Sequence, residues 1–149
     1  MKAVVIAFWI YLETVITGQK SCDEWKKFED YCYMRSCTNA SFSDAHMYCT
    51  DQGGDLTSIS TEEEFLYIAS ILQDTKRVRG WIGLRRRYNQ WRWTDGTWLD
   101  TTEFTQNYLD EWAQKGSCVY MRTTPSGRKK LFGESCEELL NFVCRKRDC

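Results

Sequence analysis

The apolar and polar positions first mark out two helices. Phe42, Ala45, Tyr48 and Cys49 recur at helical spacing, Ser41 or Ser43 can cap the segment, and Gly53-Gly54 stops it. A second stripe, Phe65, Ile68, Ala69 and Leu72, follows the i, i+3, i+4, i+7 pattern. Upstream of it, Ser60-x-x-Glu63 and Thr61-x-x-Glu64 both read as capping boxes. Later the period shortens to that of strands, with Trp81-Ile82-Gly83-Leu84, the alternating Trp91-x-Trp93, an Asp95-Gly96 turn and Val119-Tyr120-Met121. Two early helices followed by strands and turns predict an α+β class. No repeat, low-complexity tract or linker divides the chain, and Pro125 is its single proline.

The N-terminus lies outside this pattern. Lys2 precedes an apolar run from Ala3 to Leu12, Glu13 interrupts it, and small residues follow near Thr17 and Gly18. This reads as a secretory signal peptide over 1–18, with a single domain over 19–149. The run is about ten residues, half of the roughly twenty that a bilayer span needs, so no membrane span is expected.

Eight cysteines in a secreted chain of this size predict disulfides, because an oxidising compartment lacks the reducing pool that keeps thiols free. Zinc needs closely paired ligands, and no Cys-x-x-Cys occurs. Asn39-Ala40-Ser41 is a competent N-glycosylation sequon. The formal net charge of −1 gives no reason to expect a nucleic acid partner. Locally the picture differs. Arg79, Arg85, Arg86, Arg87 and Arg92 lie close together, and Arg128-Lys129-Lys130 forms a second cluster. These are solvated strand and turn positions, or else a surface for an acidic ligand such as a sulfated or sialylated glycan or an acidic protein face.

The framework Cys22, Trp25, Cys32-Tyr33, Cys49, Trp81-Ile82-Gly83-Leu84, Cys118, Cys136 and Cys144 resembles the C-type lectin domain in its long, extra-hairpin form. The resemblance spans residues 22 to 144. It implies two helices with antiparallel sheets and a long loop, stapled by disulfides. It also implies the pairs Cys22–Cys32, Cys49–Cys144 and Cys118–Cys136. The Cys49–Cys144 bond closes a long loop, worth on the order of 4 kcal/mol in the chain-entropy model, and is expected to be the bond the fold cannot lose. Cys37 and Cys149 are left over. If the strand near Tyr31 to Met34 runs antiparallel to that near Phe142 to Arg145, they emerge at opposite ends of the first strand, further apart than a disulfide spans. The alternatives are a pair made by a tail that folds back and an intermolecular bond giving a homodimer.

Calcium-dependent sugar binding in that family uses a Glu-Pro-Asn or Gln-Pro-Asp triplet and a Trp-Asn-Asp triplet, whose oxygens hold one hard cation. No proline lies between Trp91 and Cys118, and Leu131-Phe132-Gly133 stands where the second triplet would. Thr124-Pro125-Ser126-Gly127 reads as a turn. The usual calcium-bridged site is therefore not expected, and no cofactor is assigned. In its place the segment from Thr102 to Trp112 carries Glu103, Asp110 and Glu111, which could hold a calcium elsewhere, and the aromatics Tyr108 and Trp112. Exposed, these two would stack on a sugar face or anchor a protein contact. On the bland reading the acids are solvated and Trp112 packs on the domain.

Catalysis finds no support. His46 is the only histidine, on the first helix with no apparent partner, and no Gly-x-Ser-x-Gly or His-Glu-x-x-His motif occurs. The Trp91 to Trp98 segment is not taken as a cofactor site, since alternating tryptophans on a strand are far more often core, and the resemblance implies that some of these lie there. The sequence thus predicts a secreted, disulfide-bonded glycoprotein that recognises a glycan or an extracellular protein. Candidate ligand contacts are Tyr108, Trp112, Arg85, Arg86 and Arg87. The first reading is a carbohydrate or microbial-surface binder without the usual calcium site. The second is a protein-binding module resembling secreted venom or immune-receptor lectin-like domains. A structural class, matrix, shell or ice-associated, comes third.

Overall fold

The computed structural model describes residues 22–72, 78–99, 116–123 and 127–149. The expected leader, the segment carrying Glu103, Tyr108, Asp110, Glu111 and Trp112, and Pro125 lie outside the described residues. Helix α1 (Phe42–Asp51) starts at Ser41, whose hydroxyl accepts the Asp44 N–H, and ends at Gln52 before Gly53 at φ +83°. Helix α2 (Glu62–Ile71) is capped by Thr61, which accepts the Glu64 N–H. Glu64 reaches one residue further back than a simple capping box, accepting from the Ser60 N–H at 2.8 Å. The expected stripe of Phe65, Ile68, Ala69 and Leu72 is buried throughout.

Eight strands complete the described residues: β1 (Lys26–Phe28), β2 (Tyr31–Arg35), β3 (Asp55–Leu56), β4 (Gly80–Arg87), β5 (Gln90–Trp93), β6 (Cys118–Thr123), β7 (Lys129–Glu134) and β8 (Asn141–Lys146). The order is β1-β2-β8-β4-β6-β7, with β3 on β8 and β5 on β4. All pairs are antiparallel except β4–β8, a parallel junction of Gly80↔Asn141 and Trp81↔Phe142 that the expected antiparallel sheets did not include.

Strand alternation gives the sheet two apolar faces. Ile82, Leu84, Val119, Met121, Leu131 and Trp93 pack with Phe65 and Ile68 of α2 and with Leu72 at its C-terminal cap. Trp81, Phe142, Met34 and Leu56 pack with Phe42, Ala45 and Cys49 of α1. Trp81 is fully buried, and its Nε1–H donates to the Ala40 carbonyl at 3.0 Å, so its one polar atom is satisfied. Gly83 is required by space: a Cβ there would sit 2.7 Å from the Leu56 carbonyl oxygen.

Cys49–Cys144 and Cys118–Cys136 form as the resemblance implies. The N-terminal pairing does not. Cys22 joins Cys37 rather than Cys32, and Cys32 joins Cys149. Register explains both. Cys22 bridges alongside Arg35 at the end of β2, next to Cys37. Cys32 lies opposite Lys146 on β8, and the chain reaches Cys149 just beyond. Cys37 and Cys149 do emerge at opposite ends of β2, and each takes the partner at its own end. No cysteine is free, which overturns the homodimer linked through Cys37 or Cys149.

Among the described residues no helix is long and apolar enough to cross a membrane.

Candidate functional site

The candidate arginines sit on the β4–β5 hairpin. Arg87 pairs with Gln90, and Tyr88 and Asn89 close the turn at φ +51° and +62°. Two successive left-handed residues make the turn whose twist suits a two-residue hairpin, a turn that usually takes Asn-Gly. Tyr88 occupies it instead and is 98 % exposed.

Alternation splits the arginine run. Arg86 lies on the face of Leu84 and Trp93, with its guanidinium 5.6 Å from the Trp91 ring centroid. Arg85 and Arg87 lie on the other face, where Arg85 stands directly opposite Arg92. The Arg92 guanidinium covers the indole of Trp98 at 3.9 Å. Three cations and an aromatic therefore share one side of the hairpin. Arg79 is elsewhere, before the start of β4, 3.6 Å from Glu138 and 5.7 Å from the Tyr120 ring centroid.

Arg85 is half-buried, and its pKa is held below the ordinary guanidinium value by burial and then by the Arg87 charge, with Asp55 acting against both. Asp55 is well engaged: its Oδ1 accepts the Thr94 hydroxyl at 2.6 Å and lies 3.1 Å from His46 Nε2. His46 thus has the partner that its position in the sequence did not reveal. Trp98 is presented by the turn at Asp95, whose Oδ1 accepts the Thr97 N–H at 2.9 Å and the Thr97 hydroxyl at 2.6 Å. Burial pushes the Asp95 carboxyl up, but the Thr97 and Ser58 hydrogen bonds and the charge of Arg145 outweigh it and hold the pKa low. Arg145 Nη2 approaches Asp95 at 3.7 Å while its Nη1 binds Glu64 at 2.8 Å, so the Trp98 turn is tied to the N-terminus of α2.

The tryptophans of the Trp91 to Trp98 segment divide between core and surface. Trp93 is buried and Trp91 half-buried, but Trp98 is 56 % exposed. It follows the Asp95-Gly96 turn and is out of the strand alternation, a signal present in the sequence. At the position of the second triplet, Leu131 is buried, Phe132 stacks on Tyr120 at 5.4 Å, and Gly133 pairs with Val119. Among the described residues no three His, Cys, Asp or Glu side chains converge as a metal site. Asn39 is exposed on the approach to α1.

The model of the lectin C-type domain matches residues 38–146. The chain is 28 % identical to C-type lectin 16 of Crotalus adamanteus over 152 aligned residues, covering 97 % of this chain and 94 % of that one. It is 30 % identical to the snaclec coagulation factor IX/factor X-binding protein subunit B3 of Trimeresurus stejnegeri, covering 80 % and 88 %. Human lithostathine superposes with a TM-score of 0.73 at 24 % identity, over 85 % of this chain and 98 % of that one, a likeness of fold.

Proposed function

The chain belongs to the C-type lectin domain family, and we propose that it is a secreted member whose work is recognition of acidic glycans without the usual calcium-bridged sugar site. Residues 1–18 act as the leader, 19–149 form the single domain, and Asn39 carries an N-glycan. The observation that carries the reading is the face formed by Arg85, Arg87, Arg92 and Trp98. Guanidinium forks match sulfate and carboxylate oxygens, and an indole offers a sugar ring an apolar plane. A cross-strand pair of like charges costs stability, so Arg85 opposite Arg92 suits a site that waits for an anion.

The test is binding of a sulfated glycan to an Arg85→Gln/Arg92→Gln variant at several salt concentrations. Loss of at least about tenfold in affinity, with a flatter salt dependence, supports the reading. Unchanged affinity removes it.

A second reading, a protein-binding module, is favoured by the bare aromatic at the hairpin tip, since Tyr, Trp and Arg dominate protein hot spots and Tyr88 is almost fully exposed. A relative named as a coagulation factor IX/factor X-binding subunit supports it. Capture of a protein ligand lost on Tyr88→Ser is its test.

A further inference from the structure

We infer that His46 is the proton sensor of the arginine face, and that through Asp55 it makes this face bind sulfated glycans more tightly in mild acid than at neutral pH. The inference rests on the acidic-glycan reading above and deepens it by assigning how that site is regulated.

A chain of contacts runs from α1 to the site. His46 is half-buried on α1, and its Nε2 lies 3.1 Å from Asp55 Oδ1 on β3. The same oxygen accepts the Thr94 hydroxyl at 2.6 Å. Thr94 follows β5, and its N–H donates to the carbonyl of Gly83 at 2.7 Å, two residues before Arg85 on β4. The approach is close, for a Cβ on Gly83 would stand 2.7 Å from both the Thr94 hydroxyl oxygen and the Leu56 carbonyl oxygen. β3 thus carries Asp55 to the flank of Arg85, where its charge acts on the guanidinium.

The state of the imidazole decides what an approaching anion meets. While His46 is neutral, Asp55 sets a full negative charge beside Arg85 and opposes a sulfate. Once His46 is protonated the pair sums to zero, and the field of Arg85, Arg87 and Arg92 is left unopposed by Asp55. A hydrogen on Nε2 donates to Asp55 in both states, so the charge changes while the contact stays. By linkage, binding of a sulfated ligand takes up protons in the same pH window.

The surrounding charges do not switch. Arg145 of β8 lies opposite Asp55 in register, but its guanidinium is engaged by Glu64 and Asp95. Arg85 faces Asp55 from β4. On α1 itself the residues one turn away from His46, Phe42, Ser43, Cys49 and Thr50, carry no charge. His46 is the only histidine of the chain and no cysteine is free, so no other side chain ordinarily changes charge between pH 5 and 8. A sulfate ester keeps its charge across this range, so the ligand does not respond.

The experiment is calorimetric titration of the intact protein with a heparin-derived tetrasaccharide at fixed ionic strength, from about pH 7.5 to about pH 5.5. The expected result is an affinity about three- to tenfold higher at the acid end, the effect of one unit charge near a screened surface site. His46→Gln, which keeps an N–H for Asp55 and never becomes charged, holds the weaker affinity throughout. Asp55→Asn removes the opposing charge and should bind at about pH 7.5 as tightly as the wild type does at about pH 5.5. This second variant decides the matter even where His46→Gln folds poorly. A wild-type affinity that is flat across the range, a rise that survives His46→Gln, or an Asp55→Asn protein no tighter than the wild type at neutral pH overturns the switch and leaves the acidic-glycan reading standing. Failure of the wild type to bind at every pH overturns both.

Discussion

Arg92 lays its guanidinium over the indole of Trp98 at 3.9 Å, and the backbones of the same two residues form an isolated antiparallel bridge. A strand residue and a residue beyond the turn are thus held as one unit on the basic side of the hairpin. Trp98→Ala removes the stacking plane and leaves Arg92 free to move. The expected loss is about 1–2 kcal/mol of binding to a sulfated glycan, roughly five- to thirtyfold in Kd by calorimetry. Because Trp98 is 56 % exposed, the unfolding free energy should change by less than about 1 kcal/mol.

Glu64 is the buried acid that joins three elements. It accepts from the Tyr33 hydroxyl at 2.7 Å, from Arg145 at 2.8 Å and from the Ser60 N–H at 2.8 Å. Glu64→Ala leaves Arg145 with the longer 3.7 Å contact to Asp95 and takes the acceptor from the Tyr33 hydroxyl and the Ser60 N–H, and should cost about 3–5 kcal/mol in denaturant unfolding. A cost below about 1 kcal/mol would mean that the network contributes little.

The same network sets a response to alkali. Burial, then the hydrogen bond and charge of Glu64, raise the pKa of Tyr33 above its ordinary 10.0, although Arg145 acts against them. A raised folded value means that the unfolded chain gives up the proton first. Stability is therefore whole below pH 10.0 and falls above it, by up to about 1.4 kcal/mol per pH unit for this group. Tyr33→Phe should start less stable at neutral pH yet show a shallower alkaline loss, read from melting curves across that range.

Peptide mapping under non-reducing conditions should recover Cys22–Cys37 and Cys32–Cys149 as linked peptides. Replacing Cys49 and Cys144 by alanine opens a loop with a sequence separation of 95 and should cost about 4–5 kcal/mol. Opening the 15-residue separation between Cys22 and Cys37 should cost less, about 3 kcal/mol.

Gly83→Ala tests why the Trp81-Ile82-Gly83-Leu84 run contains a glycine. The added carbon meets a backbone oxygen of β3 that cannot swing aside, so a loss of about 1–3 kcal/mol is expected by thermal unfolding.

Both helices were legible because each carries its own signals: a hydroxyl cap, an apolar stripe at helical period and, for α1, a stopping glycine pair. The antiparallel run of β2 against β8 could also be foreseen, and with it the separation of Cys37 from Cys149. Which cysteine Cys22 meets could not, because that depends on where the chain before β1 lies along β2, a tertiary fact set by the Arg35 bridge. The arginine run looked like a single patch. Alternation sends Arg86 to Trp91, and sequence proximity hid the distance to Arg79, which lies at the opposite end of the strand. The His46–Asp55 contact was missed for the same reason, since it depends on a neighbour brought in by another strand, whereas the exposure of Trp98 could have been read from its place beyond the Asp95-Gly96 turn.

The central claim is recognition of an acidic glycan without a bridging calcium. It is tested most directly by probing the purified protein against a glycan array, once with calcium and once with a chelator. The account predicts binding to sulfated or sialylated glycans at equal strength in both conditions, weakening as salt is raised. Binding that disappears in the chelator, or that selects neutral sugars, would contradict it.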